Sequence, residues 1–265
     1  MPGIALSPVK SGKTTPVSVA EAVNTSFNTA VQMMAGAGFK IRDNVKVSVD
    51  PKLPFMGYTM PQGRSFNIVV SGGSVGSGML EGLLVHEMSH IYRIQTSHPS
   101  HNAKILEEAV ERLEAKSRHY DYQQKILHDL LNDIQDLYAD DIAFKVFRTT
   151  STEILGKTTE FLQSWVVDKP VKSDDTAKDR WVNASIMVHN ARAIAQMARH
   201  RIEDTAQKAA QSNQRFLAKA PPSFAKKFEA FRNTLEHLRE EMTEAEYEAL
   251  LQVHLNQFIE LAEGN

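Results

Sequence analysis

The sequence predicts an α+β protein that is mostly helical, with one small β-sheet. Apolar residues recur every three to four positions over most of the chain, which is the period of an amphipathic helix. The segment 45–71 instead alternates apolar with polar residues or concentrates β-branched ones, as strands do. With 13 glycines and 10 prolines among 265 residues, no low-complexity class applies. The length fits one large domain or two small ones.

The N-terminal part opens with residues 1–16, which are rich in proline, glycine, serine, threonine and lysine and are expected to form a flexible tail. Ser18 and Glu21 make a capping-box pattern that begins a helix. Gly36 and Gly38 end this helix. Its apolar stripe consists of Val23, Phe27, Val31 and Met34.

The next segment changes to the strand pattern. Residues 45–49 alternate valine with polar side chains, which predicts a first strand. A second strand fits residues 55–60, and the third, 65–71, has the highest β-branched content of the chain. The Gln62-Gly63 pair is a turn between the second and the third.

From Gly78 to about Gln95 the pattern is helical, and the segment 96–102, which contains Pro99, is expected to be a loop. The polar segment 168–179 is the best candidate for a linker. Further helices are expected at 103–118, 122–148, 178–218, 223–242 and 244–263.

The composition excludes several functional classes. With 30 basic and 32 acidic residues, the net charge of −2 gives no electrostatic reason to expect nucleic acid or an anionic membrane as a partner. The absence of cysteine excludes disulfides, thiolate metal sites and cysteine nucleophiles. No secretory signal and no apolar run long enough for a membrane span is visible. We therefore expect a soluble cytoplasmic protein.

Residues 86–90 read His-Glu-Met-Ser-His, an HExxH motif. Two histidines four positions apart lie on one helix face, so both imidazoles can reach one metal ion. Glu87, beside the first histidine, can take a proton from a water on that metal. Zinc in such a site lowers the pKa of the water to about 7 and polarises a carbonyl group. The motif predicts one zinc ion per chain, held by His86 and His90, with Glu87 as the general base.

The position of Glu87 on its helix supports this interpretation. At ~100° per residue, Glu87 falls in the middle of the apolar stripe of the helix. A carboxylate there costs free energy unless it has a partner, so a purely structural helix would not normally carry it. The stripe consists of Leu80, Leu83, Leu84, Ile91 and Ile94.

The run SFNIVVSGGSVGSGMLEGLLVHEMSH, a strand followed by a glycine-rich turn and the HExxH helix, resembles the core of the zincin metallopeptidases. The resemblance implies a zincin-like catalytic domain at residues 17–167, with a helical C-terminal region, 168–265, packed on it. It also implies that the strand at 66–70 forms the edge of the sheet and lines the cleft. An extended substrate would pair with that edge.

A catalytic zinc site needs a third protein ligand. The metzincin pattern is excluded, because Arg93 and Thr96 occupy the positions of its glycine and its third histidine. The gluzincin subclass instead takes an acidic ligand from a later helix. Glu108 is one candidate, but Arg112 stands where that subclass has aspartate.

The second candidate segment resembles the gluzincin pattern with aspartate in place of glutamate. Asp136 and Asp140 are four residues apart and are followed by an apolar run. Together with Asp133 they make an acidic helix face, and buried like charges repel one another unless a cation lies between them. We prefer Asp136 as the third zinc ligand, with Asp140 orienting a histidine. Glu108 and Asp133 stay open as alternatives.

The resulting hypothesis is a gluzincin-like zinc metallopeptidase, which hydrolyses peptide bonds of a peptide or protein substrate with zinc-activated water. The alternative is a helical interaction protein that retains a structural or vestigial zincin site. His189 could steady an oxyanion, judged only by its order along the chain. His98 and His101 are expected to be exposed loop residues.

Overall fold

A computed structural model of the chain describes residues 18–114 and 120–264. Over these residues the protein is mostly helical with one small sheet, as predicted. The predicted tail at 1–16, and the predicted helical residues 115–118, lie outside the described part. The strands are β1 (Asn44–Asp50), β2 (Gly57–Gln62) and β3 (Ser65–Ser71). The helices are α1 (Val19–Gly36), α2 (Leu80–Gln95), α3 (Ala103–Glu114), α4 (Asp121–Thr150), α5 (Thr152–Trp165), α6 (Thr176–Arg199), α7 (Lys208–Leu217), α8 (Pro222–Glu236) and α9 (Glu244–Glu263).

The sheet has the order β1-β3-β2, with β1 parallel and β2 antiparallel to β3. The expectation that residues 66–70 form the sheet edge is therefore wrong, because β3 pairs on both sides. Its Ile68 and Val70 are fully buried, and a continuous apolar run is typical of such a central strand. In the part of the chain that the structure describes, the edges are β1 and β2.

Helix α2 carries the HExxH motif and packs against the sheet, α1 and α4. Leu84, Val85, Met88 and Ile91 are fully buried along it. Gly82 permits a close approach to α5, since a Cβ atom there would lie 3.0 Å from Cγ2 of Ile154. The motif is therefore fixed within a close-packed core.

Helix α5 lies in a segment for which the sequence predicts no element. Ser151 begins the helix, and its side chain accepts a hydrogen bond from the backbone N–H of Ile154. Ile154 and Leu162 are buried at helical spacing. Gly156 and several threonines lower the helix propensity of this segment. Serine at position 151 is nevertheless a residue type that commonly caps a helix.

The predicted single helix at 178–218 is wrong, because the chain turns between α6 and α7. Arg201, Ala206 and Gln207 have φ values of 49°, 57° and 53°, which end a right-handed helix. The Asp204 carboxylate then accepts hydrogen bonds from the first turn of α7. The next prediction, 223–242, also runs too far, since α8 ends at Glu236. The α8–α9 connection, residues 237–243, follows it.

Two groups of buried apolar residues make up the core. The sheet cluster joins α1, the sheet, α2, α5 and the C-terminal part of α4. The helical cluster joins α3, α8, α9 and the N-terminal part of α4. Helix α6 contributes to both, with Ala193 and Met197 in the sheet cluster. Residues of the predicted regions 17–167 and 168–265 thus occur in each cluster, and their division at residue 168 stays a prediction. Of the helices in the described residues, none is both long and apolar enough to cross a membrane.

His254, in the helical cluster, makes the fold sensitive to acid. It is 2% exposed and lies edge-on to Phe231. Burial lowers the pKa of His254 to about 4. Unfolding returns its pKa to about 6.5, so the unfolded chain binds a proton preferentially between pH 6.5 and 4. Through this group, the free energy of unfolding is at its full value above pH 6.5 and falls by about 3 kcal/mol as the pH drops to 4.

We expect urea unfolding of His254→Leu to show a smaller loss of stability than the wild type over this pH range. Other groups titrate in the same range, so the difference between the two proteins is the informative quantity. The exposed His128 provides the matched control, and His128→Leu should keep the wild-type pH dependence. Equal pH dependence in the two variants would contradict the assignment.

Candidate metal centre

Helices α2 and α4 bring three potential metal ligands together. They run antiparallel, so that His86 faces Asp140 while His90, one turn later, faces Asp136. The Nε2 atoms of His86 and His90 are 3.1 Å apart. Oδ1 of Asp136 lies 3.3 Å from Nε2 of His90 and 3.9 Å from Nε2 of His86. We call His86, His90 and Asp136 the ligand triangle.

The dimensions of the ligand triangle fit a zinc ion. Ligand atoms bound tetrahedrally to one zinc ion at ~2.0–2.1 Å stand about 3.3 Å apart, close to the 3.1, 3.3 and 3.9 Å found here. Two imidazole nitrogens and one carboxylate oxygen are also a common donor set for catalytic zinc. Among the described residues, the side chains that could hold a metal ion as a group of three or more are His86, His90 and Asp136.

His86 is oriented by a carboxylate on its other side. Its Nδ1 lies 2.7 Å from Oδ1 of Asp140, whose second oxygen accepts a hydrogen bond from Gln196 of α6. Burial alone would lower the pKa of His86, but the carboxylates of Asp140 and Asp136 outweigh burial and raise the pKa to about 10. The space between the ligand atoms therefore favours positive charge. Asp140 has the geometry of a residue that orients a zinc-binding histidine.

Asp136 is held by a buried guanidinium group. Arg192 of α6 donates to Oδ2 of Asp136 at 3.0 Å and also to Asp133. Burial alone would raise the pKa of Asp136, but the Arg192 guanidinium outweighs burial and holds the pKa below its usual range. Because Arg192 takes Oδ2, only Oδ1 is directed into the ligand triangle. Asp136 thus offers one ionised carboxylate oxygen to the space between the two histidines.

His90 contacts a third histidine that lies outside the motif. Its Nδ1 is 2.8 Å from Nε2 of His101, which ends a short 3-10 helix, Pro99–His101. Burial lowers the pKa of His101 to about 2. The expectation that His98 and His101 are exposed loop residues is wrong, since both are part-buried and hydrogen-bonded. Two histidines shortly after the HExxH helix are the signal that could have pointed to this contact.

Glu87 is buried beside the ligand triangle, with 4% exposure. The Thr59 hydroxyl of the edge strand β2 lies 2.9 Å from Oε2 of Glu87 and donates to it. This contact provides the partner that a carboxylate on the apolar face of α2 requires. It also ties the carboxylate to the edge strand of the sheet.

Two cavities meet at Glu87 and the ligand triangle. The first, of about 410 Å³, is mostly apolar and takes part of its lining from α5. The second, of about 430 Å³, includes Tyr58 and Thr59 of β2 as well as His101. Both cavities are lined by His86, Glu87 and Asp136. The apolar lining of the first includes Met79, Leu83, Phe147, Phe161, Leu162 and Trp165.

The other candidate residues lie away from the ligand triangle. Glu108 on α3 pairs with Lys104 and Arg112 of its own helix. Asp133 is bound by Arg192 and lies 3.6 Å from Nδ1 of His189. His189 stacks on Trp165 and lines neither of the two cavities. Its proposed contact with an oxyanion has no support in this placement.

A family model matches most of the chain. The model of a family described as a family of unknown function, DUF5781, matches residues 17–259. The match includes the HExxH helix and Asp136, the whole sheet cluster and all of the helical cluster except Leu261 and Ala262. No curated protein and no solved structure matches the chain.

Proposed function

The chain belongs to the DUF5781 family, whose function is unknown, and from the chemistry of its site we propose that it is a zinc-dependent metallopeptidase. In this proposal the enzyme is gluzincin-like, with aspartate in place of glutamate as the third ligand. His86, His90 and Asp136 hold the zinc ion, and Glu87 is the general base. The observation that carries the proposal is the spacing of the three ligand atoms, 3.1 to 3.9 Å, with the Glu87 carboxylate beside them.

The chemistry follows from the roles of these side chains. Zinc held there would lower the pKa of a water molecule to about 7 and polarise the substrate carbonyl. The Glu87 carboxylate accepts the proton of the attacking water and then delivers it to the leaving amine. Thr59 holds one oxygen of Glu87, which fixes the direction of this transfer. Asp140 and Arg192 keep His86 and Asp136 in position.

The surroundings of the site support a peptide as substrate. Strand β2 is a sheet edge beside Glu87, and an extended peptide can add to such an edge by backbone hydrogen bonds. A Cβ atom at Gly57, the first residue of β2, would lie 2.9 Å from the Val69 carbonyl oxygen and 3.3 Å from Cδ2 of Leu83, so β2 begins in close contact with β3 and α2. The apolar cavity that Glu87 also lines suits a large apolar side chain next to the cleaved bond.

Zinc analysis and peptide hydrolysis test the proposal together. After removal of any affinity tag, elemental mass spectrometry should find about one zinc per chain. The zinc-loaded protein should cleave members of a fluorogenic peptide library that contain Phe, Leu or Trp, and a chelator should stop cleavage until zinc is restored. Full zinc content without cleavage of any peptide would overturn the peptidase assignment and favour a structural site in an interaction protein.

A further inference from the structure

A chain of hydrogen bonds leads from the ligand triangle to the α8–α9 connection. It runs from His90 through His101, Ser100 and His98 to the backbone carbonyl of Glu240. The successive distances are 2.8, 2.7, 2.7 and 2.7 Å. Two backbone groups, the Glu240 carbonyl and the Ser100 N–H, decide which atom of each pair carries the hydrogen.

The direction of the chain is fixed by two backbone groups. The Glu240 carbonyl can only accept, so Nε2 of His98 must carry a hydrogen. The backbone N–H of Ser100 can only donate, and it points at Nδ1 of His98 at 3.2 Å. His98 is therefore the Nε2–H tautomer, and its bare Nδ1 accepts the hydroxyl hydrogen of Ser100.

The remaining links follow in order. Since the Ser100 hydroxyl donates to His98, its oxygen accepts from Nδ1–H of His101. At pH 8, above the ordinary imidazole pKa of about 6.5, His101 carries a single ring hydrogen, which Ser100 places on Nδ1, so its bare Nε2 accepts from Nδ1–H of His90. His90 is left with its Nε2 lone pair in the ligand triangle, 3.1 Å from Nε2 of His86, where a cation can take it up.

We propose that His101 is a positioning residue that, through Ser100 and His98, holds His90 in the Nδ1–H tautomer needed to present Nε2 to a metal ion. The inference rests on the metal-binding part of the proposed function and is independent of hydrolysis. His101 differs in this role from the Asp140 carboxylate that orients His86. The carboxylate can only accept hydrogen bonds, whereas His101 accepts one from His90 and donates another to Ser100.

The far end of this chain is itself held in place. Lys145 of α4 lies 2.7 Å from the Glu240 carboxylate, and Arg93 of α2 lies 3.5 Å from it. The carbonyl that orients His98 therefore belongs to a segment clamped to both helices of the ligand triangle. In this proposal, the α8–α9 connection holds the end of the hydrogen-bond chain that orients His90.

The tautomer can be read directly in metal-free protein. With ¹⁵N-histidine labelling at pH 8, long-range ¹H–¹⁵N spectra distinguish the two neutral tautomers, and His90→Gln identifies the His90 signal by its loss. We expect wild-type His90 to be the Nδ1–H form, and His101→Leu to shift it toward Nε2–H. An Nε2–H form in the wild type, or no change in His101→Leu, would overturn the proposal. This measurement needs neither zinc nor substrate.

Zinc affinity supplies the second readout, measured by competition with a chromogenic chelator. His101→Leu should weaken zinc binding about 10–100-fold, the usual cost of losing a residue that orients a ligand. His101→Gln can place an amide oxygen near the position of the imidazole Nε2, so it should bind zinc more tightly than His101→Leu. Equal zinc affinity in the two variants would mean that His101 only fills space, which contradicts a positioning role.

Discussion

Replacement of Glu87 by glutamine is expected to lower kcat for peptide hydrolysis about 10²–10⁴-fold while leaving the zinc content unchanged. Glutamine keeps the size of the side chain and can still accept the hydrogen bond from Thr59. It cannot take up the proton of the attacking water, which is the task assigned to Glu87. The three ligand atoms lie on other residues, so the metal should stay bound. Zinc analysis and peptide hydrolysis of the same preparation measure both effects.

A control for this variant lies on the same helix. Glu81 lies in the first turn of α2, accepts a hydrogen bond from Ser26 at 2.7 Å and lines neither cavity at the site. Glu81→Gln makes the same chemical change in the same helix and should keep the wild-type kcat. A Glu87→Gln protein with full zinc and wild-type activity would show that Glu87 is not the base.

Replacement of Asp136 by alanine is expected to weaken zinc binding by more than about 100-fold, beyond the effect of losing an orienting residue. It removes one of three ligands and the single oxygen that Arg192 leaves directed at the two histidines. Arg192 would then keep its ion pair with Asp133. Competition with a chelator of known affinity gives the dissociation constant of each variant.

The two alternative ligands provide the comparison. Glu108→Ala should leave zinc affinity unchanged, because Glu108 pairs with basic residues of α3. Asp133→Ala should act only indirectly, through the guanidinium that Asp133 shares with Asp136. If Glu108→Ala lost zinc and Asp136→Ala kept it, the ligand assignment would be wrong.

The local parts of the site are readable in the sequence, because each depends on residues one helical turn apart. The four-residue spacing of His86 and His90 and that of Asp136 and Asp140 place each pair on one helix face. The helical period likewise predicts α2 and α9, and the cap at Ser18 predicts the start of α1. Helix packing decides which acidic residue faces the histidines. The sequence alone therefore leaves three candidates, Asp136, Glu108 and Asp133.

The remaining features depend on contacts between distant segments. Strand β3 is central because β1 pairs with it in parallel, and no local pattern specifies the order of strands. The contact of His101 with His90 requires the 3-10 helix to fold back over the end of α2. The break between α6 and α7 depends on positive φ angles at residues other than glycine, where sequence gives a weak signal.

The ligand triangle and its supports come from helices far apart in sequence, which sets the order of events in folding. The contact between His86 and Asp140 joins residues 54 positions apart, and the contact between Asp133 and Arg192 joins residues 59 positions apart. Closing loops of this length costs entropy that the hydrophobic clusters must first offset. A chain of this size has enough core to do so without a metal. Zinc would therefore enter a finished scaffold as the last step of maturation, and its removal should leave a folded protein ready to be reloaded, unlike a zinc finger that unfolds without its ion.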